Sequence, residues 1–321
     1  MAVTPKIPET RPVGFPPTRA ESRPELLAPG APALRVLAEP LTALYGLPGF
    51  LLPLMHPATA AATLKRDRVF ADPDADILDF ARRLRDTIEM IAGVAHAGDE
   101  ADHIAYAMRE LHRPMRGEDT RGATYHAWTR DIWTWNWAAI TAGFMRGYEV
   151  LRGWPDREFR DDAYLGLIEV GRRFGVLGMP ATYDEFLAVW PMERDRVADP
   201  RNEGVRTLVG LIHARGLPAP RALRPMPLPV WALVTAPIRH FLRVAIMVGL
   251  LPEEREMIGF PERAMDRAGL RIHVAFWRVI LPRKISYRVG LAWMSARARW
   301  STPVWRTHFS AEALAARAES A

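Results

Sequence analysis

The chain has 321 residues, of which 49% are hydrophobic and 25% charged, and a formal net charge of +6; this composition suits one large globular domain or two ordinary ones. It contains no cysteine, which excludes disulfides, cysteine-bound metal clusters and cysteine nucleophiles. Its 43 Lys and Arg residues are scattered among 37 Asp and Glu residues, a pattern typical of a solvated surface, so nucleic acid is not an expected partner.

The N-terminal segment is rich in proline and charge and has no apolar run of the kind found in secretory signals. We therefore expect a largely disordered arm over residues 1–35 and a cytoplasmic protein. No internal repeat or linker divides the remainder of the chain. This predicts a single helical domain over residues 36–305 and a C-terminal tail over residues 306–321.

Helical periodicity dominates the chain, and no series of alternating strand segments is evident. The predicted fold class is therefore all-α. Breaks at proline, glycine and Asp-Pro positions delimit predicted helices at about 33–46, 56–66, 75–95, 99–114, 128–152, 157–176, 183–195, 202–215, 229–249, 253–268, 270–280 and 284–300.

The apolar stretch over residues 229–252 is the segment most like a membrane span. Pro237, Arg239 and Arg243 lie in its interior and would be costly in hydrocarbon. We therefore predict a pair of buried helices there. Peripheral membrane contact through the C-terminal third of the chain stays open as an alternative.

In the predicted helix over residues 75–95, apolar residues recur every three or four positions, and Thr87 lies on or beside this stripe. Arg83 precedes Thr87 by four residues, so the two side chains are neighbours. A guanidinium beside a hydroxyl in apolar surroundings requires an anionic or polar partner. The simpler alternative is that Arg83 pairs with a surface carboxylate such as Asp79 and Thr87 bonds to its own helix.

His112 stands in the last turn of the next predicted helix, four residues after Met108 and just before Pro114. From there its imidazole can present a nitrogen to a pocket. The alternative is a structural or exposed histidine. Four tryptophans come after it, and they either wall a flat apolar cofactor or simply pack a long helix; they are Trp128, Trp133, Trp135 and Trp137.

Two other metal chemistries have weaker signals. Glu100 and His103 have the Glu-x-x-His spacing of a di-iron bundle, but a second such motif is missing. Asp72, Asp74 and Asp76 alternate just before a helix, where acidic residues typically cap the N-terminus rather than bind magnesium.

Short motifs succeed one another along residues 45–300: LMHPATAAA at 54–62, RRLRDT at 82–87, RELHRPMRG at 109–117, GATYHA at 122–127, GVLGMP at 175–180 and GLLP at 249–252. In this order they resemble the MpaB and latex-clearing-protein family of haem oxygenases. The resemblance implies a globin-like helical core, non-covalently bound haem b, and dioxygen or peroxide chemistry on an apolar, often isoprenoid, substrate.

The resemblance also assigns roles to individual residues. It implies that His112 is the proximal iron ligand and that Arg83 and Thr87 match the catalytic Arg-x-x-x-Thr pair of the distal helix. Arg83 would hold a propionate or an oxygen ligand, and Thr87 would donate a hydrogen bond to that ligand. His56, in the His-Pro motif, is expected to support the haem pocket. If His112 is not the ligand, His126 and His103 are the next candidates.

Two positions depart from the family pattern. Asp86 stands where rubber-cleaving members can have a lysine, and Asn136 follows Trp135 where many relatives have Trp-x-His. Trp135 and Asn136 remain expected cofactor contacts, but polyisoprene cleavage is in doubt. The open alternatives are a different oxidation, a haem carrier or sensor without turnover, and a non-enzymatic helical protein that binds lipid or a partner.

Overall fold

A computed structural model describes residues 23–28, 30–39, 48–96, 101–212, 216–283, 285–286, 288–290 and 292. Helices dominate these residues, which confirms the predicted all-α class. The helices are α1 (Pro32–Ala38), α2 (Pro48–Leu51), α3 (Pro57–Arg66), α4 (Ile77–His96), α5 (Ala101–His112), α6 (Arg130–Arg152), α7 (Arg157–Arg173), α8 (Tyr183–Val197), α9 (Glu203–Ile212), α10 (Leu228–Val234), α11 (Ala236–Gly249), α12 (Pro252–Met257) and α13 (Ala264–Ile280).

The sequence did not predict the two short strands between α5 and α6. Strands β1 (Arg116–Glu118) and β2 (Thr124–His126) pair antiparallel. Asp119 closes the loop between them, because its Oδ1 accepts the backbone N–H groups of Arg121 and Ala123. Strands of three residues are too short to produce a recognisable alternation of polar and apolar positions.

Helix α6 is the centre of the molecule. Small and large apolar residues alternate around its circumference, so that it is buried on nearly every side in its second half. It packs against α2, α3, α7, α11 and α13. Trp137 of α6 packs directly on Gly171 of α7, where a Cβ atom would lie 2.3 Å from the indole nitrogen. The glycine therefore lets the two helices approach closely.

Helical packing begins before residue 36. Pro24–Leu27 forms a 3-10 turn, and α1 packs on α7. Each segment begins with a proline, which is compatible with a first helical turn. Leu27 and Leu34, which follow these prolines, are buried among apolar residues of the core. The predicted arm over 1–35 therefore overlaps two packed segments, while residues 1–22 and the predicted tail over 306–321 lie outside the described residues.

Several predicted helices were wrong in their bounds, and the one predicted over 33–46 ends at Ala38, where Glu39 is extended. The pair of helices predicted within residues 229–252 is present as α10 and α11, bent by 56° before Pro237, but α10 is largely exposed rather than buried. The helix predicted over 253–268 ends at Met257, and α13 begins at Ala264. Gly259 between them has φ +67° and Pro261 comes two residues later, so neither residue continues a helix.

No single described helix has the length and hydropathy to cross a membrane. The bent pair of α10 and α11 reaches both only when the two helices are counted together.

Buried ion pairs tie the C-terminal helices to the core. Glu254 of α12 is fully buried and accepts hydrogen bonds from Arg146 of α6 at 2.7 Å and from the indole N–H of Trp190 of α8 at 2.6 Å. A second buried pair ties the N-terminal segment to the core: Arg152 of α6 forms a two-pronged pair with buried Glu39, which follows α1, at 2.9 and 3.0 Å. Because each carboxylate has several donors, its burial is compensated.

We expect Glu254→Gln to destabilise the fold by about 3 kcal/mol, because it leaves the Arg146 guanidinium buried without its counter-charge. Chemical denaturation measures this change. The control is Glu193→Gln, which removes an exposed pair with Arg196 and should cost less than about 1 kcal/mol. Equal effects of the two substitutions would contradict this account.

Candidate functional site

Helix α4 places Arg83 and Thr87 one turn apart on a half-buried face. The helix begins after Asp76, whose Oδ1 accepts the backbone N–H groups of Leu78 and Asp79 at 2.8 and 3.2 Å. This is the capping role predicted for that acidic segment. The C-terminal half of α4 packs on α5 and α7 through buried apolar residues, so the arginine turn has a fixed position.

Arg83 is oriented by a carboxylate that the sequence did not indicate. Its Nε donates to Asp67 at 2.5 Å, and its Nη1 donates to the hydroxyl of Thr87. That hydroxyl in turn donates to the backbone carbonyl of Arg83 at 3.2 Å. These contacts agree with the simpler alternative, in which Arg83 pairs with a carboxylate and Thr87 bonds to its own helix. The carboxylate differs from the suggested one, because Asp79 pairs with Arg82 instead. Among the described residues, none accepts a hydrogen bond from Nη2 of Arg83, so the guanidinium keeps donor capacity.

His112 lies in the last turn of α5. Its Nδ1 is 2.7 Å from the backbone carbonyl of Met108, and its ring meets Trp133 of α6 edge to face, with ring centroids 5.4 Å apart. A carbonyl can only accept, so Nδ1 carries the proton and Nε2 carries the lone pair. Within the described part of the chain, no group donates a hydrogen bond to Nε2. A neutral imidazole held in this way has the arrangement of a metal-bound histidine.

The electrostatic surroundings keep His112 neutral. Burial lowers the pKa of His112 most, the Met108 carbonyl opposes this, and the positive charge of Arg83 lowers the pKa further. Helices α4 and α5 pack on each other, and the charge of Arg83 acts on the pKa of His112. We refer to Arg83, Thr87 and His112, which lie on these two packed helices, as the histidine cluster.

The hairpin after α5 holds the end of that helix in place. The indole N–H of Trp128 donates to the backbone carbonyl of Arg109 at 2.9 Å. Nδ1 of His126, at the end of β2, accepts the backbone N–H of Trp128 at 3.1 Å. This contact gives His126 a structural role in the turn, and its role as an alternative ligand stays a prediction.

His56 and Trp135 lie in a different part of the molecule. Nδ1 of His56 accepts the backbone N–H of Ala58 at 3.1 Å and so caps α3. Its ring is 6.4 Å from that of Trp135, which stacks on Trp190 at 5.3 Å. Trp133 and Trp135 are two positions apart on α6, about 200° around the helix, so they point to nearly opposite sides. The support of a haem pocket by His56 and Trp135 stays a prediction.

Asn136 lies on the same side of α6 as Trp133, three residues earlier. Its Oδ1 accepts a hydrogen bond from the hydroxyl of Thr59 of α3 at 3.0 Å, so it joins two helices. Asp86, at the other departure from the family pattern, pairs with Arg68 and Arg85 on the surface.

A cavity of about 310 Å³ lies on the Trp135 side of α6. Its walls come from α6, α8 and the GVLGMP segment, including Trp135, Phe186, Trp190, Leu177 and Met179. Arg130, Asp131, Glu193 and Arg196 add charge to the lining. His112 does not line this cavity, so the cavity and the histidine cluster are separate features.

The described residues contain no group of three or more histidine, aspartate or glutamate side chains arranged to share a metal ion. A haem iron requires only one such protein ligand.

A family model described as "ER-bound oxygenase mpaB/B'/Rubber oxygenase, catalytic domain" matches residues 34–279. The chain belongs to this family. The match confirms the resemblance inferred from the motifs and includes Arg83, Thr87 and His112. No curated protein and no solved structure matches the chain significantly.

Membership of the MpaB and rubber-oxygenase family does not by itself point to Asp67 or Trp133 as parts of the cluster. Asp67 ends α3, sixteen residues before Arg83, and nothing in its spacing indicates that pairing. Trp133 belonged to the predicted tryptophan group, but the orientation of α6 decides that Trp133, and not Trp135, meets His112. Both contacts depend on how helices pack, which a single sequence does not encode locally.

The pH dependence of stability tests the environment of His56. Burial lowers the pKa of His56 to about 4 from 6.5, so between these values the unfolded chain binds the proton more readily and stability falls as pH falls. His56→Asn keeps a helix-capping acceptor but cannot titrate. On going from about pH 7 to about pH 5, we expect wild type to lose about 1 to 2 kcal/mol more than the variant, measured by denaturation. Parallel losses would contradict the buried, neutral state.

Proposed function

We propose that this chain is a haem b-dependent oxidoreductase of the oxygenase or peroxygenase type, acting on an apolar small molecule such as an isoprenoid. The observation that carries the proposal is the state of His112. Its Nδ1–H is engaged by the Met108 carbonyl, and its Nε2 lone pair has no donor among the described residues. Family membership supports oxygenase chemistry.

The residues around His112 fit a haem. Iron coordination requires a neutral imidazole, and the lowered pKa of His112 provides one. The Arg83 guanidinium supplies positive charge in the same region for an anionic propionate or oxygen ligand. The half-buried ring of Trp133, which meets the ring of His112, adds apolar surface. When bound, haem b supplies the activation of dioxygen or peroxide.

In this proposal each residue has a defined task. His112 holds the cofactor through Nε2, and the Met108 carbonyl fixes the proton on Nδ1 and the orientation of the ring. Asp67 fixes the Arg83 guanidinium through Nε and leaves its other donors to bind an anion. Thr87, against the same guanidinium, offers a hydroxyl that can rotate toward an oxygen atom.

The optical spectrum tests the ligand assignment. We expect the purified protein, expressed with ample haem precursor, to show a Soret band, and His112→Ala to abolish or shift that band because the axial nitrogen is lost. The matched control, His126→Ala, should leave the band unchanged. The assignment fails if wild type has no Soret band, or if His126→Ala loses the band and His112→Ala keeps it.

Turnover separates an oxygenase from a haem carrier or sensor, which would share the spectrum. With squalene as an isoprenoid probe, Thr87→Val should keep the Soret band but lower the rate of dioxygen or peroxide consumption by about 10²-fold, since one positioned donor is lost. Thr207→Val, the same change at a half-buried threonine of α9, should leave the rate unchanged.

A protein that binds haem but consumes no oxidant with apolar probes would favour the carrier or sensor. Equal rates for wild type and Thr87→Val would remove Thr87 from the reaction.

A further inference from the structure

Exposed apolar side chains are concentrated on α10 and α13. Leu228 and Leu233 of α10 are 79% and 76% exposed, and Met265 and Val279 of α13 are 72% and 76% exposed. Further exposed apolar residues on these helices and at the start of α11 are Val230, Val234, Ile238, Ile272, Phe276 and Ile280. Scattered apolar residues are normal on a protein surface, but a concentration of this kind marks an interaction site.

Helix α13 has a continuous apolar stripe. At 100° per residue, Met265, Ile272, Phe276 and Val279 fall within about 60° of one another around the helix. The face of α13 next to this stripe packs on α11, where Gly269, at the edge of the stripe, lies close to His240 and Val244. The helix is therefore held flat against the protein with its stripe turned outward.

The charges beside this stripe are positive. Arg271 and Arg278 lie together on one flank of α13, where Nε of Arg278 donates to the backbone carbonyl of Leu151 at 3.1 Å, and Arg267, on the same flank, has Glu262 3.5 Å away. The only acidic residue of α13, Asp266, is buried and paired with Arg243 at 2.8 Å. Helices α10 and α11 contain no acidic residue. The surface thus combines exposed apolar side chains with a basic margin.

The two exposed helices border the same neighbour. Helix α11 packs on both α10 and α13, and α10 meets α11 at 56°. A helix with an apolar stripe and a basic flank is suited to lie in the plane of a membrane interface, where apolar side chains enter the acyl boundary and arginines meet anionic headgroups.

We propose that α10 and α13 form a docking surface for a bilayer that contains anionic lipid. Charge complementarity favours this occupant over a second copy of the chain. A symmetric dimer places the same surface on both sides of its interface, so two basic flanks would face each other without an acidic counterpart. Lipid phosphates supply that counterpart.

Vesicle flotation with the purified full-length chain tests the proposal. We expect the protein to float with vesicles of phosphatidylcholine and phosphatidylglycerol, and less with phosphatidylcholine alone. Added salt should weaken the binding, because it screens the arginines.

The decisive variant is Ile272→Gln with Val279→Gln, which removes two exposed side chains of the stripe. We expect at least about a tenfold weaker partition onto the anionic vesicles. The matched control is Leu187→Gln with Met192→Gln, which changes two exposed residues of α8, 42% and 65% exposed, and should bind like wild type. Far-ultraviolet circular dichroism verifies that both variants are folded.

Wild-type binding by the Ile272→Gln and Val279→Gln variant would overturn the proposal. The proposal would also be overturned if wild type did not bind vesicles and instead formed a dimer that this variant dissociates in analytical ultracentrifugation. The surface would then join two copies of the chain. Neither readout depends on haem or on turnover.

Discussion

The hydrogen bond between the Nδ1 of His112 and the carbonyl of Met108 is the interaction on which the functional account depends. It fixes which nitrogen of the imidazole carries the proton and therefore which one can bind a metal. A carbonyl four residues earlier on the same helix is a rigid partner, so the ring is oriented before any cofactor arrives. The bond between the Trp128 indole and Arg109 steadies the same turn of α5 from outside.

The cluster combines a neutral imidazole at His112 with a positive charge at Arg83. Arg83 is positive and lies near enough to lower the pKa of His112, so it favours the neutral imidazole that iron requires. Asp67 takes up part of that positive charge through an ion pair in which its side chain is 10% exposed. The pair leaves Arg83 oriented and able to bind an anion. A histidine near an arginine is thus consistent with cofactor binding, whereas a surface histidine would gain a proton more easily.

The sequence predicted the helices best where periodicity and breaks agreed. Helices α3 to α9 begin and end within about three residues of the predicted bounds, and the segment with Arg83 and Thr87 and the turn with His112 were found from spacing and motifs. The hairpin and the break at Gly259 were missed, because three-residue strands and a short interruption between helices leave no periodic signal. The partners of Arg83, and the fact that Trp133 rather than Trp135 meets His112, depend on packing between helices distant in sequence. The family match supports the motif-based inference, and the roles of the site residues stay proposals that rest on the motifs and on the contacts of His112 and Arg83.

The identity of the iron ligand is the central claim, and resonance Raman spectroscopy of the reduced, haem-loaded protein tests it most directly. Wild type should show an iron–histidine stretching band, His112→Gly should lack it, and added imidazole should restore it by filling the space of the missing side chain. An iron–histidine band that persists unchanged in His112→Gly without imidazole would contradict the account.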